Sequence, residues 1–286
     1  GGGVGQSPDH WGNTQFDDSY YLNGRAKAYD GYATDIWFDE AISYVNRFEG
    51  KSDPFFLYIS TNAPHVPYRA PKSYVDQYLE VGLPRDMAIF YAMITNIDSN
   101  IGRLIARTEA AGILDNTIFI FMTDNGSSLA MQSNGEPLSM LSDELLARLN
   151  VTNSSLNLGM RGGKNSVYEG GHRVPFLIKF PDKAQVTPKT IGSLTAHIDV
   201  MPTLLQLANL EYSPKDFDGI SLVDTLLANE RIPDRTLVVT NQRVLNPTSK
   251  MPFAVMQNDW RYVKSSQKGD FELFNVSNEP SQTQDV

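Results

Sequence analysis

The order of apolar and polar positions separates a body of helix-spaced and continuous apolar stretches from a tail of short strands. In the stretch 34–48, Trp37, Ala41, Tyr44, Val45 and Phe48 recur at helical spacing and predict a helix. Asp35 falls in its first turn, where the helix dipole favours an anion, and Gly50 ends it. Phe55, Phe56, Leu57, Tyr58 and Ile59 form an unbroken apolar run, the pattern of a strand buried on both faces, as in a parallel sheet. The stretch 85–111 predicts a long amphipathic helix. Phe90, Ile94, Ile97, Ile101, Leu104 and Ile105 line one face, and Gly112 suits the position just past its end. Further buried-strand runs cover 117–123 and 174–180. A short helix is predicted at 199–208, where Pro202 is tolerable only near the start.

The remaining stretches are polar or change texture. Residues 1–32 are rich in Gly, Asn, Asp and Tyr and read as loop, with turn chemistry at Asn23-Gly24. A long polar region between Asn125 and Gly163 holds only a weak helix at 141–149; an insertion of that length is uncommon unless functional. After Pro233, short strands are predicted at 236–240, 253–257, 261–264 and 271–274, with Asn258-Asp259 as a hairpin-like turn. The expected architecture is α/β: strands near 55–60, 117–123 and 175–180 in one largely parallel sheet flanked by helices. Residues 1–232 would form the main domain and 233–286 a small antiparallel subdomain.

Composition narrows the function classes. With 41% hydrophobic and 20% charged residues, the chain of 286 residues is globular in character. No apolar run approaches the roughly 18 residues of a membrane helix. A net charge of −9, from 24 Lys and Arg against 33 Asp and Glu, argues against a general nucleic-acid binder. An anionic substrate would also be repelled at long range, so handling one requires a local positive cluster or a metal. The absence of cysteine excludes disulfides, thiolate zinc sites and a cysteine nucleophile within the chain. Gly1-Gly2-Gly3-Val4-Gly5 is neither an initiator methionine nor a signal peptide, and the chain reads as a fragment cut at both ends.

Three motifs sit where chemistry is expected. In open parallel sheets, ligands bind beyond the carboxyl ends of the strands. One apolar run leads into Thr61-Asn62-Ala63-Pro64-His65-Val66-Pro67, and another into Asp124-Asn125-Gly126. Each alone is ordinary, a surface histidine and a turn; their shared placement at strand ends points to a site. The third motif runs from Arg161-Gly162-Gly163-Lys164 through Tyr168-Glu169-Gly170-Gly171 to His172-Arg173, just before a buried strand. Its glycines let backbone approach a ligand closely, and its cations supply local positive charge. Three other histidines read as structural. His172 caps or lines this loop, His197 packs or hydrogen-bonds at a helix start, and His10 lies in a surface loop.

The ordered set of Pro64-His65-Val66-Pro67, Thr123-Asp124-Asn125-Gly126, Arg161-Gly162-Gly163-Lys164 and Tyr168-Glu169-Gly170-Gly171 resembles the type I, formylglycine-dependent sulfatases of the alkaline-phosphatase superfamily. Gly31-Tyr32-Ala33-Thr34-Asp35, the segment from His197 to Leu204, Trp260-Arg261-Tyr262 and Glu272-Leu273-Phe274-Asn275 look like family segments too. The resemblance implies an alkaline-phosphatase-like fold and hydrolysis of sulfate monoesters, with a carbohydrate sulfate favoured. It assigns Asp124 and Asn125 as oxygen ligands of a divalent cation, Ca2+, a choice that suits a hard ion. Lys164 would contact the sulfate, and His65 would protonate the leaving oxygen, a task that suits an imidazole pKa. The family's Asp-Asp metal pair and its Cys-x-Pro-x-Arg signature, source of the formylglycine nucleophile, match nothing here and would lie upstream. Asp17-Asp18 reads as a loop that departs from the metal pair, and the chain alone is expected to be inactive. Export to a periplasm or the exterior is a family expectation. The competing readings are a phosphate ester or diester hydrolase of the same superfamily, which generally lacks the Arg-Gly-Gly-Lys loop, and a non-catalytic binding relative.

Overall fold

A computed structural model describes residue 4 and residues 9–128, 132–133, 136–137, 147, 157–241, 251–266 and 269–286. The helix proposed at 141–149 lies, apart from residue 147, outside the described residues. The chain divides into two compact units, 1–117 and 118–286.

The first unit is mainly helical. Strands β1 (Ser19–Leu22) and β2 (Arg25–Ala28) form a hairpin in a region that reads as loop by composition. Asn23 and Gly24 both have positive φ, 50° and 79°, which gives the two-residue turn whose twist matches paired strands. Asp18 ties the preceding turn: its carboxylate accepts the Thr14 N–H, the Gln15 N–H and the Tyr20 hydroxyl at 2.8–2.9 Å. Asp17 accepts the Gly31 N–H at 2.8 Å, so both members of this acidic pair serve backbone and hydroxyl donors.

Helix α1 (Ala33–Val45) continues into a short 3-10 turn, Asn46–Phe48. Helix α2 (Lys72–Glu80), which periodicity did not single out, precedes the long α3 (Arg85–Ala110). The end of α3 is closed by Gly112 at φ 68°: its N–H donates to Glu109 O and the Ile113 N–H to Thr108 O. The apolar stripe proposed for α3 is corrected. Met93, Asn96, Asn100, Leu104 and Thr108 are buried, whereas Ile94 is exposed. The cause is polar: Asn96 and Asn100 donate their side-chain amides to Asp35 Oδ1 at 2.8 and 2.7 Å, so α3 turns this face toward α1.

The run at 55–59 carries no strand. Phe55, Leu57 and Ile59 are half-buried while Phe56 and Tyr58 are exposed, so burial alternates with the period of an extended chain. Phe55 meets Tyr44 edge-on and Phe48 at a tilt.

In the second unit, β3 (Phe119–Met122) pairs with β6 (Phe176–Lys179) antiparallel, Ile120 opposite Ile178. This corrects the expectation that these strands and 55–60 run parallel in one sheet. An apolar run records burial, not direction, and neighbouring strands run parallel only when the chain crosses back between them. Between them, among the described residues, lie a two-residue pairing of β4 (Gln132–Ser133) with β5 (Glu136–Pro137) and the short helical turn α4 (Glu169–His172). Phe176 and Ile178 pack into a core with Leu222 and Leu226, around the short α6 (Val223–Ala228). Phe121 and Leu177, on the opposite face, are exposed.

Helix α5 (Val200–Leu207) follows a 3-10 turn, His197–Asp199, with Pro202 in its first turn as required. The tail forms the expected antiparallel sheet in the order β10-β9-β8-β7: β7 (Thr236–Thr240), β8 (Phe253–Gln257), β9 (Trp260–Lys264) and β10 (Glu272–Asn275). Asn258 turns β8 into β9 at φ 50°. The inner face of this sheet, Ala254, Val263 and Phe274, packs against Val167 and Tyr168 of the glycine-rich loop.

Candidate active site

The loop after β3 and the glycine-rich loop before β6 are sewn together by backbone bonds. Thr123 N–H donates to Pro175 O at 3.4 Å, which carries the β3–β6 ladder one step further. Beyond it, Gly126 N–H donates to Gly171 O at 2.9 Å, and Lys164 N–H donates to Ser127 O at 3.0 Å. The chains approach so closely that a Cβ on Gly126 would lie 1.8 Å from Gly170 O. One on Gly171 would lie 2.1 Å from Ser166 O. These contacts set Asp124 and Asn125 next to the segment that carries Lys164.

Asp124 is exposed, and among the described residues its carboxylate has no side-chain partner. Asn125 is half-buried and donates Nδ2 to Gly126 O at 3.1 Å, which leaves Oδ1 as the end available to a cation. Lys164 is half-buried, and its Nζ has no partner among the described residues. A carboxylate and an amide oxygen form a donor pair fit for a hard cation. It is not a complete cage: among the described residues no group of three or more His, Asp and Glu gathers to hold a metal.

His197 hydrogen-bonds, as its position at a helix start suggested. Its Nε2 donates to Thr123 O at 2.8 Å and so braces the end of β3 immediately before Asp124. The turn that carries it is fixed by buried Asp199, which accepts the Ala196 N–H at 2.8 Å, the Ile220 N–H at 3.0 Å and Arg235 Nη1 at 2.7 Å. His172 donates Nε2 to Val167 O at 3.2 Å, and its burial holds the imidazole pKa below the usual value. It therefore lines the loop, neutral, from within.

His65 belongs to the first unit. Its N–H donates to Asn62 O at 2.9 Å, its ring Nδ1 donates to Val66 O at 2.8 Å, and Gln15 Nε2 reaches its carbonyl at 3.5 Å. With Nδ1 engaged, Nε2 is the nitrogen that remains for chemistry. Three of the four residues singled out by motif, Asp124, Asn125 and Lys164, are thus brought together by the second unit.

Motif reasoning named Arg161, Tyr168, Glu169, Arg261 and Glu272 without giving them a role, and it missed Gln282. Glu169, 2% exposed, accepts Arg261 Nε at 2.6 Å, and its own N–H donates to the side-chain oxygen of Gln282 at 2.7 Å. Arg161 donates to Glu272 Oε1 at 2.9 Å and to Gln282 O at 3.0 Å, with its guanidinium 3.9 Å from the centre of the Tyr168 ring. The Tyr168 hydroxyl donates to the other Glu272 oxygen; burial and that carboxylate push its pKa up to about 12. One sequence signal existed: in β9 the alternation places Arg261 on the inward side with Val263, between outward Trp260 and Tyr262.

An oxygen-donor pair at a strand end, tied to a glycine-rich loop whose lysine has no partner among the described residues, lies where ligands bind in α/β folds. The sulfatase family model matches residues 4–210, and a model for the C-terminal part of N-sulphoglucosamine sulphohydrolase matches 163–286. The chain belongs to the sulfatase family. It is 29% identical over 88% of its length to an N-acetylgalactosamine-6-O-sulfatase of Bacteroides thetaiotaomicron, covering 48% of that protein. It is 27% identical to an arylsulfatase of Clostridium perfringens, covering 85% of this chain and 51% of that one. Among solved structures, that of Ps i-CgsB in complex with k-i-k-neocarrahexaose superposes with a TM-score of 0.77. That match has 25% identity and covers 94% of this chain and 54% of the other. The fold is therefore the alkaline-phosphatase-like α/β fold, with its C-terminal antiparallel sheet. The chain spans about half the length of these curated relatives.

Proposed function

We propose that the protein to which this chain belongs hydrolyses sulfate monoesters of a carbohydrate. The observation that carries this reading is the double backbone tie, Gly126 to Gly171 and Ser127 to Lys164, which joins an oxygen-donor pair to a cationic loop. The relatives named for carbohydrate sulfates support the substrate class.

Asp124 and Asn125 would hold a divalent cation through oxygen, and Ca2+ fits their chemistry. When bound, that ion supplies positive charge against the sulfate oxygens. Lys164 adds its ammonium to the same end, where charge on those oxygens must be balanced through the transition state. In a protein of net charge −9, this local pair of positive groups is what admits an anion. His65, with Nδ1 committed to Val66 O, would protonate the leaving oxygen through Nε2, and that proton would depart with the alcohol. A nucleophile must come from outside the motifs of this chain, which holds no cysteine; the family resemblance makes it formylglycine. Residues 1–232 would belong to the catalytic domain and 233–286 to its C-terminal subdomain.

The test is turnover by the full protein of an aryl sulfate, a panel of sulfated sugars and a phosphate monoester. Lys164→Ala should cost about 2–4 kcal/mol of transition-state stabilisation, the range for one strong charge-stabilising donor. Asp124→Ala should remove most activity and weaken Ca2+ binding measured by calorimetry. Preference for the phosphate ester, or unchanged sulfate turnover by both variants, would overturn the assignment.

A further inference from the structure

The glycine-rich loop carries its lysine between two anchors, and both anchors end on the C-terminal sheet. At one side Arg161 reaches Glu272 of β10 and the Gln282 carbonyl. At the other, Tyr168 bonds the same Glu272, while Glu169 meets Arg261 of β9 and the Gln282 amide. Lys164 lies between them.

The chemistry of the second anchor is demanding. Glu169 and Arg261 are 2% and 6% exposed, and Gln282 is 1% exposed. Removing such a carboxylate and guanidinium from water is costly, and the loss is offset only when the remaining hydrogen-bonding sites are filled. Here they are. Arg261 Nη1 donates to Asn258 O at 2.6 Å and to Trp260 O at 3.0 Å, and Glu169 Oε2 lies 3.4 Å from Arg173 Nη1. A hydrophobic pair could fill this space, but it could not direct the Glu169 carboxylate and its N–H at two fixed partners.

The consequence runs through backbone. Glu169 opens the turn whose next residues, Gly170 and Gly171, bond Arg161 O and accept the Gly126 N–H. The position of Glu169 thus sets the register between the Lys164 loop and the Asp124–Asn125 loop.

We propose that Arg261, acting through Glu169, is a positioning residue: the C-terminal sheet fixes where Lys164 stands relative to Asp124 and Asn125. This deepens the sulfate-ester reading and rests on it for the catalytic consequence, but the mechanical coupling stands on geometry alone.

The experiment uses the full protein with Arg261→Met, Arg261→Lys, Lys164→Ala and the double variant Lys164→Ala/Arg261→Met. Two readouts are taken: amide hydrogen exchange, and steady-state kinetics on a sulfate ester with inorganic sulfate as competing ligand. Arg261→Met should accelerate exchange at 164–171 and at Gly126 by tenfold or more, while β8 and β9 core amides keep their protection. It should lower kcat by about 10- to 100-fold, the scale of a sub-ångström to ångström misplacement. Arg261→Lys keeps the charge but loses the fork, and should fall between wild type and Arg261→Met in both readouts. If Arg261 acts through Lys164, sulfate inhibition in the double variant should match that of Lys164→Ala alone. Uniform loss of protection, with kcat falling only in proportion to folded protein in both Arg261 variants, would overturn the proposal. So would an Arg261→Met effect that persists undiminished on the Lys164→Ala background. A wild type that turns over no sulfate ester defeats the functional reading instead, and the exchange data still decide the coupling.

Discussion

Two of the loops proposed to carry the chemistry, those of Lys164 and His65, are held by different means. The loop with Lys164 is wedged: glycines bring backbone to within a Cβ of backbone, and ion pairs, one part-buried and one buried, lock its two ends. The loop with His65 is held mostly by local bonds, among them its own N–H to Asn62 O, its ring to Val66 O and the Thr61 hydroxyl to Ala63 O, with a long contact from Gln15. A group that must balance charge on an anion profits from rigid placement, since reorganisation at that moment is what such a site avoids. A group that passes a proton needs one ring nitrogen fixed and the other free. The same contrast extends to their surroundings. Asp18 builds the turn that holds Gln15 by collecting three donors on one carboxylate, whereas the Lys164 loop is built by excluding side chains.

Gly171→Ala should break the contrast most. Its Cβ would press on Ser166 backbone, which cannot swing aside, and overpacking of this kind should cost about 3 kcal/mol, read as a lower urea midpoint. Little change would mean the loop yields and is not wedged. Asp18→Ala should cost about 2 kcal/mol, because two backbone N–H groups and a tyrosine hydroxyl lose a buried acceptor. An equal cost for Asp18→Asn and Asp18→Ala would show that charge, rather than acceptor geometry, holds this turn.

His172 supplies a pH dependence. Burial lowers its folded pKa below the unfolded value, so the unfolded chain binds the proton more tightly. Its contribution to stability is complete above the unfolded pKa of about 6.5 and declines as pH falls from there toward the folded value. Denaturation midpoints between pH 7.5 and pH 5 should therefore fall less in His172→Gln than in wild type. The smallest effect belongs to His65→Ala, whose stability should stay within about 0.5 kcal/mol of wild type while sulfate turnover falls. A large stability loss there would erase the difference between the two loops.

Hydropathy pattern located the local elements, and motif order pointed to the family. Periodicity located α1, α3, α5 and the four tail strands within a few residues, because each buries one face whose spacing is written in the chain. The Asn23-Gly24 and Asn258-Asp259 turns were legible because few residues tolerate positive φ. Oxygen ligation at 124 and 125 and anion contact at 164 are what the family resemblance implies, not what the residue types alone showed. Pairing direction was not legible. Phe119 to Met122 and Phe176 to Lys179 read as strands of one largely parallel sheet, and the ladder shows them antiparallel. Nor could periodicity foresee that α3 would turn Asn96 and Asn100 inward to meet a carboxylate sixty-odd residues away. Tertiary structure likewise chose the partners of Glu169, about ninety residues upstream of Arg261 in the chain. Local pattern records what one segment must bury or how it must turn. A buried charge pair, a strand's neighbour and the meeting of two loops depend on which distant segment arrives, and that is decided by packing the whole chain at once.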